Sequence, residues 1–321
     1  MLCQHTRHYG ISSRLQEILC LLGQGYVFEE SEEILQQLLG ITISARQIQR
    51  VSEHYGQGLE AQQQQYVADK KQAPVLKLKH PQEPVYLMVD GSMVFSREKG
   101  WKEMKVGRLF NQSACIPIQQ DRNQITQSLY VCHLGDHQAF TDKWESYTEG
   151  YPNKICIADG AKWIWNWVED CYPQAVQILD CFHAVEKLGR YAALQYPDGA
   201  ERDKWMKLQK ERLLNNEANK IIEELKSSTG SHHKETEKAR TELIGYYENN
   251  LSRMQYKTYL EKGYLIGSGA IEAAHRNVIQ QRLKLSGQRW SVNGAQQIAN
   301  LRACKKSNQW NTVIELINSA A

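Results

Sequence analysis

"VYLMVDGSMVF", residues 85–95, decides how the chain is read. Five residues of mostly apolar, strand-favouring type lead into Asp90, and Gly91 follows at once. Such a run predicts a buried strand. A carboxylate at the end of that strand is costly unless donors or a cation compensate it, and the glycine lets a ligand approach the backbone. Before this stretch the pattern is helical; after it the pattern belongs to strands.

Downstream, "WKEMKVGRLFN" (101–111) alternates and "SLYVCHLGD" (128–136) reads as a further strand. A helix is expected at about 138–149, then the strand "KICIAD" (154–159), a helix through "AKWIWNWVEDC", and the strand "AVQILD" (175–180). That order predicts an α/β fold with a mixed sheet covered by helices. Residues 184–262 are charged and helical in pattern, with a break near "STGSHH" (228–233), and read as an all-α insertion. Upstream, residues 12–66 read as helices with one short break. "FEESEEILQQLLG" ends in Gly40, a fitting terminator, and Ser44 is placed to cap the next helix. The early turns of that helix carry Arg46, Gln47, Gln49 and Arg50, as a helix-turn-helix would present them to a major groove; an ordinary helical hairpin is the competing reading. Residues 67–84, with their prolines and lysines, read as a linker. The expected domains are thus 1–66 helical and DNA-binding, 67–84 linker, 85–183 with 263–321 catalytic, and 184–262 helical insertion.

Lysine and arginine number 39 against 36 acidic residues, so overall charge neither requires nor excludes a polyanion. From Ser268 onward, however, seven basic residues face Glu272 and Glu315 alone, and that region suits phosphates. Eight cysteines without a C-x-x-C pair, several inside apolar runs, predict reduced, buried thiols and a cytoplasmic protein. Cys3, His5 and His8 are metal-ligand types at close spacing, but no second half accompanies them. No apolar run reaches the roughly 20 residues of a membrane helix, and no signal-peptide core is legible, so no membrane partner is expected.

Asp159 in "CIADGA" repeats the arrangement of Asp90, and Glu272 in "GSGAIEAAHRN" stands behind a glycine-serine turn among small and apolar residues. Either Asp-Gly taken alone is explained by a turn, and Glu272 alone by the helix dipole. Together, three carboxylates on two strand ends and a late helix suggest shared hard-oxygen ligation of Mg²⁺ or Mn²⁺. The "WIWNW" run, with Trp163 and Trp167 on one helical face and Trp165 on another, suits core packing or stacking on unpaired bases.

The words "VDGSMV", "IADGAKWIW", "LDCFHAVEKL" and, most specifically, "GSGAIEAAHRNVIQQRLKLSGQRWSVNGAQQIANLR" carry a resemblance. From about residue 12 to 310 the chain resembles DDE transposases of bacterial insertion sequences, close to the ISKra group of the Mutator-like assemblage. No counterpart of the N-terminal zinc-binding segment that such relatives often carry is legible. The resemblance implies an RNase H-like mixed sheet with helices on both faces and a large all-α insertion before the last catalytic helix. It implies Asp90, Asp159 and Glu272 as catalytic ligands of two Mg²⁺ (or Mn²⁺) ions. It also implies His183, in the Asp180-x-x-His183 signature, as a residue near the active site. The implied partners are transposon ends and target DNA, with a homodimer or larger assembly to join two ends. Arg46 and Arg50 in the N-terminal helices, and His275, Arg276, Arg282, Lys284 and Arg289 on and after the Glu272 helix, are the expected DNA contacts; a solvated basic face is the alternative for each. A transposase-derived protein that holds DNA without cutting it is the second functional reading.

Overall fold

In the computed structural model, residues 10–70, 73, 75–119, 122–228 and 233–319 are described. The Cys3, His5, His8 string and residues 229–232 of the expected break lie outside them. The chain is α/β, with a mixed five-stranded sheet and many helices. Three helices open it: α1 (Ser13–Gly25), α2 (Phe28–Leu39) and α3 (Ala45–Ala68). Strands β1 (Val85–Ser96), β2 (Gly100–Asn111), β3 (Cys115–Gln119), β4 (Arg122–Ile125) and β5 (Leu129–Leu134) follow, then α4 (His137–Thr148). Next come β6 (Lys154–Ala158), α5 (Lys162–Cys171), β7 (Val176–Leu179), α6 (Cys181–Gln195), α7 (Gly199–Leu214), α8 (Ala218–Ser227), α9 (Lys234–Asn250) and α10 (Tyr256–Glu261). The chain closes with α11 (Gly269–Ala274), a π-helical segment His275–Gln280, α12 (Gln281–Leu283), α13 (Val292–Lys306) and α14 (Asn311–Ser319).

The sheet order is β5-β2-β1-β6-β7, with β2 and β5 antiparallel and β6 and β7 parallel; β3 and β4 pair as a separate antiparallel ribbon. Two compact units form: Met1–Val85 with Val89–Pro152 and Ile271–Ala321, and Tyr86–Met88 with Asn153–Ala270.

In the first unit local chemistry sets the helix ends. The Ser12 hydroxyl accepts the Leu15 amide at 3.2 Å, the Ser44 hydroxyl accepts the Gln47 amide at 3.3 Å, and Gly40 closes α2 in the left-handed conformation. The expected single break in the N-terminal helices is in fact two, because Tyr26 and Val27 leave helical geometry and separate α1 from α2. Helix α13 packs on α3 and on β5. The α3 crossing is close: a side chain at Gly56 would meet the Gln297 carbonyl. Strand β5 is a sheet edge, and α13 covers it chemically. Gln296 Oε1 accepts the Leu134 amide (2.7 Å), its Nε2 donates to the Cys132 carbonyl (3.1 Å), and the Ser307 hydroxyl accepts the Tyr130 amide (2.9 Å). Edge groups that would otherwise remain open are thereby occupied.

The described residues of 73–84 form no helix or strand, yet they are tied to the unit. The Ala73 amide donates to the Ser146 carbonyl (2.9 Å) and the Leu76 amide to the Tyr151 hydroxyl (2.7 Å). Glu83 is buried and accepts from the amides of Lys79 and Ser113 and from the Asn111 side chain. Burial raises its pKa, but the Ser113, Lys79 and Asn111 donors outweigh it and hold the carboxyl at about 2. A depressed folded-state pKa gives stability that is full above the ordinary value of 4.5 and is lost as pH falls towards 2. Unfolding midpoints measured from pH 7 to pH 2 should show Glu83→Gln less stable at neutrality and flatter through this acid window than the native chain. Parallel curves for the two proteins would exclude the effect.

In the second unit β6, α5 and β7 form a parallel strand-helix-strand element, followed by α6–α10. Arg253 holds the pieces together: it bonds Gln177 (2.7 Å) on β7 and Glu169 on α5, and its guanidinium lies 4.5 Å from the Trp165 ring centre. Of the three tryptophans of α5, Trp165 alone is buried. The β3–β4 ribbon was not expected from sequence; Ile116 and Ile118 of β3 are about half exposed, so no buried face announces it. Cys20, Cys132, Cys156 and Cys304 are buried free thiols, as the sequence suggested. Among the described residues no helix is long and apolar enough to cross a membrane.

Candidate active site

Strand β1 is fully buried from Val85 to Val89, and in the first unit it emerges at Asp90. A side chain at Gly91 would meet the Glu103 side chain of β2. Glu103 in turn pairs with buried Lys105 at 2.6 Å, and Lys105 also donates to the Gly135 carbonyl at 2.6 Å. His275 faces Asp90, with Nε2 3.4 Å from Oδ2, and is itself only 4 % exposed. Burial lowers the His275 pKa against the opposing pull of the Asp90 carboxylate. Burial thus favours the uncharged form of the imidazole.

That placement corrects the expected solvent-facing cation at His275. Ile271, Ala274 and Val278 form the buried stripe, and position 275, four residues past Ile271, falls within it. The same repeat carries Arg282 inside. It is 1 % exposed, its guanidinium lies 4.6 Å from the Phe28 ring centre and 4.8 Å from that of Trp290, and its Nε donates to the Gly23 carbonyl at 3.1 Å. Burial foremost, then Arg302, lowers its pKa to about 10. Arg282 is a packing cation and not the DNA contact expected from sequence. Glu272 and Arg276 are both exposed and share the other face, one helical turn apart. Lys284 and Arg289 are exposed; Lys284 Nζ donates to the Ser92 hydroxyl at 3.0 Å. Arg46 and Arg50 are exposed in the first turns of α3.

In the second unit, Asp159 follows the last residue of β6 and is half-buried. Its Oδ1 accepts the Ala161 amide at 2.9 Å and its carbonyl accepts the Trp165 indole at 2.8 Å. Gly160 leaves room for the Tyr246 ring, which a side chain would strike. Tyr246 has its pKa raised by burial and by the Asp159 and Asp180 carboxylates. Asp180 is fully buried at the start of α6, where Oδ1 accepts the Phe182 amide at 2.7 Å. His183, 41 % exposed at its side chain, has Nε2 3.8 Å from Asp180 Oδ2 and Nδ1 3.1 Å from Glu186 Oε2. It is therefore an imidazole held between two carboxylates.

The structure thus joins Asp90 to His275 and Asp180 to His183. Among the described residues no group of three or more His, Cys, Asp or Glu side chains is assembled to hold a metal ion. The carboxylates of Asp90, Asp159 and Glu272 retain the donor type for a hard divalent cation, since all three reach solvent at least in part. Two neighbours escaped the sequence reading. Glu103 stands two residues before Lys105 in a strand, and only the glycine opposite hints at it. Tyr246 lies 86 positions beyond the glycine that accommodates it, with no local signal.

Comparison with known protein families finds no match, and comparison with curated proteins finds none either.

Proposed function

We propose that the protein is a DDE-type DNA transposase with an RNase H-like catalytic core. The observation that supports this reading is the order of the carboxylates in the topology. Asp90 lies on the central strand of the sheet, Asp159 directly follows β6, the fourth sheet strand along the chain, and Glu272 lies on α11 beyond the helices α6–α10. Three acidic residues at these places, each at least partly open to solvent, have no packing purpose in common.

Under this reading Asp90, Asp159 and Glu272 would hold two Mg²⁺ or Mn²⁺ ions. These ions would supply Lewis-acid activation of the attacking oxygen and charge neutralisation at the leaving one. The chain's own groups do the rest. His275 lies against Asp90, and Arg276, Lys284 and Arg289 offer charge to the DNA phosphates. Water is the first nucleophile at the transposon end, and the freed 3′-hydroxyl replaces it against target DNA. Joining two ends requires a dimer or larger assembly.

A second reading is a transposase-derived protein that holds DNA uncut; the exposed Arg46, Arg50, Arg276, Lys284 and Arg289 would serve it without any metal. One assay separates them. Incubation of the full chain with transposon-end duplex and Mg²⁺, followed by mapping of nicks on both strands, should give cuts that free a 3′-hydroxyl at the end. Binding without any cut would select the second reading.

A further inference from the structure

A cavity of about 340 Å³ opens in the first unit between the end of β1 and the 283–290 loop, lined by Phe95, Trp101, Leu283, Lys284, Leu285 and Arg289 among others. Its two walls are fastened together by backbone. The Arg97 amide donates to the Trp290 carbonyl (2.8 Å), the Trp290 amide donates to the Phe95 carbonyl (3.3 Å), and the Val292 amide donates to Glu98 (3.1 Å). Gly287 turns the loop in the left-handed region, with φ 76°. The pocket is therefore built by the fold before any ligand arrives.

Its chemistry is particular. The Trp101 indole is 62 % exposed, although its area would favour burial, and it meets Phe95 edge-on with ring centres 5.4 Å apart. The Arg289 guanidinium lies 5.9 Å from the Phe95 ring centre, and Lys284 stands on the same lining. None of the described residues lining the cavity is acidic. An open aromatic face flanked by two cations suits a flat π-system that carries negative charge beside it. The volume lies at the lower end of the range of about 300–1,000 Å³ for ligand pockets, which suits a small ligand.

We propose that this cavity takes a single unpaired nucleobase of the bound DNA, stacked on Trp101, with its flanking phosphate on Lys284 and Arg289. The proposal rests on the DNA-transposase reading and adds to it where the duplex opens. A base still paired within a helix has no free face to offer, so the pocket discriminates for an extruded or single-stranded position.

Two duplexes of one sequence test it, one fully paired and one with a single extruded 2-aminopurine, each titrated with the full chain. The extruded-base duplex should bind about tenfold more tightly, on the scale of one base-aromatic stack. Its 2-aminopurine emission should be quenched on binding. Trp101→Ala should abolish both effects and leave paired-duplex affinity within about twofold; the exposure of Trp101 makes this variant safe for folding. Trp101→Phe should restore part of the preference. Lys284→Gln should weaken both duplexes alike and reduce the slope of log affinity against log salt by about 1. Equal affinity of the native chain for the two duplexes, or an undiminished preference in Trp101→Ala, would overturn the proposal while paired-end binding and cutting still stand. A shift in the oligomeric state of Trp101→Ala with unchanged DNA binding would also overturn it and give the cavity to a second copy of the chain. Loss of all DNA binding by the native chain would remove both this proposal and the reading beneath it.

Discussion

Under the proposed transposase reading, Asp159→Asn should cut the rate of Mg²⁺-dependent strand cleavage by about 100- to 1,000-fold, the scale of removing one group that stabilises a transition state. Fold and DNA affinity should stay near native. The reason is local. The side-chain oxygen at 159 accepts the Ala161 amide, and an asparagine oxygen can still accept it, so the turn after β6 survives while the charge disappears. Asp90→Asn should behave alike, with the Asp90–His275 contact at 3.4 Å changed from charge–imidazole to amide–imidazole. Single-turnover cleavage of a pre-bound end separates the chemical step from binding. Native-like cleavage by Asp159→Asn would exclude this carboxylate from catalysis.

The second large effect concerns stability. Arg302 on α13 is 3 % exposed and its guanidinium meets carbonyl oxygens: Val278 at 2.6 Å, Gln24 at 2.5 Å, and Asn277. Asn277 and Val278 belong to the π-helical segment, and Gln24 to the last turn of α1, where carbonyls lack intrahelical donors. One cation thus satisfies the weak points of two helices. Arg302→Ala should leave those carbonyls buried without this donor, at a cost of about 2–4 kcal/mol. For a chain of this size that lowers the unfolding midpoint by several degrees. Arg302→Lys should recover little of it, since one ammonium does not span three acceptors in a fork. A thermal midpoint within about 1 °C of native for Arg302→Ala would show that solvent or relaxation replaces the arginine.

Much of the architecture was legible because period and punctuation agreed. The run at 85–95, "KICIAD" and "AVQILD" became β1, β6 and β7, and Gly40 and Ser44 ended and began helices as their chemistry requires. The β3–β4 ribbon escaped because an exposed strand pair need not alternate. The candidate residues could be named from sequence as positions, whereas their environments could not. His275 and Arg282 are expected DNA contacts by the resemblance, yet both are buried. Their burial follows from the opposite stripe, which needs a partner surface to become visible: Phe28, Gly23 and Trp290 surround Arg282 from elsewhere in the chain. Trp101 and Tyr246 gave no local signal, since each acquires meaning from a loop or a glycine distant in sequence.

The cover on the β5 edge has a consequence for synthesis. Leu134 leaves the ribosome about 160 residues ahead of Gln296, so at 5–20 residues per second the strand waits roughly ten to thirty seconds for its seal. During that interval the nascent polypeptide displays an open ladder with Val131 and Leu134 beside it, a surface on which neighbouring chains of a polysome can add strands. The edge is sealed only once α13 has emerged, so the yield of folded protein should depend on how soon α13 follows β5.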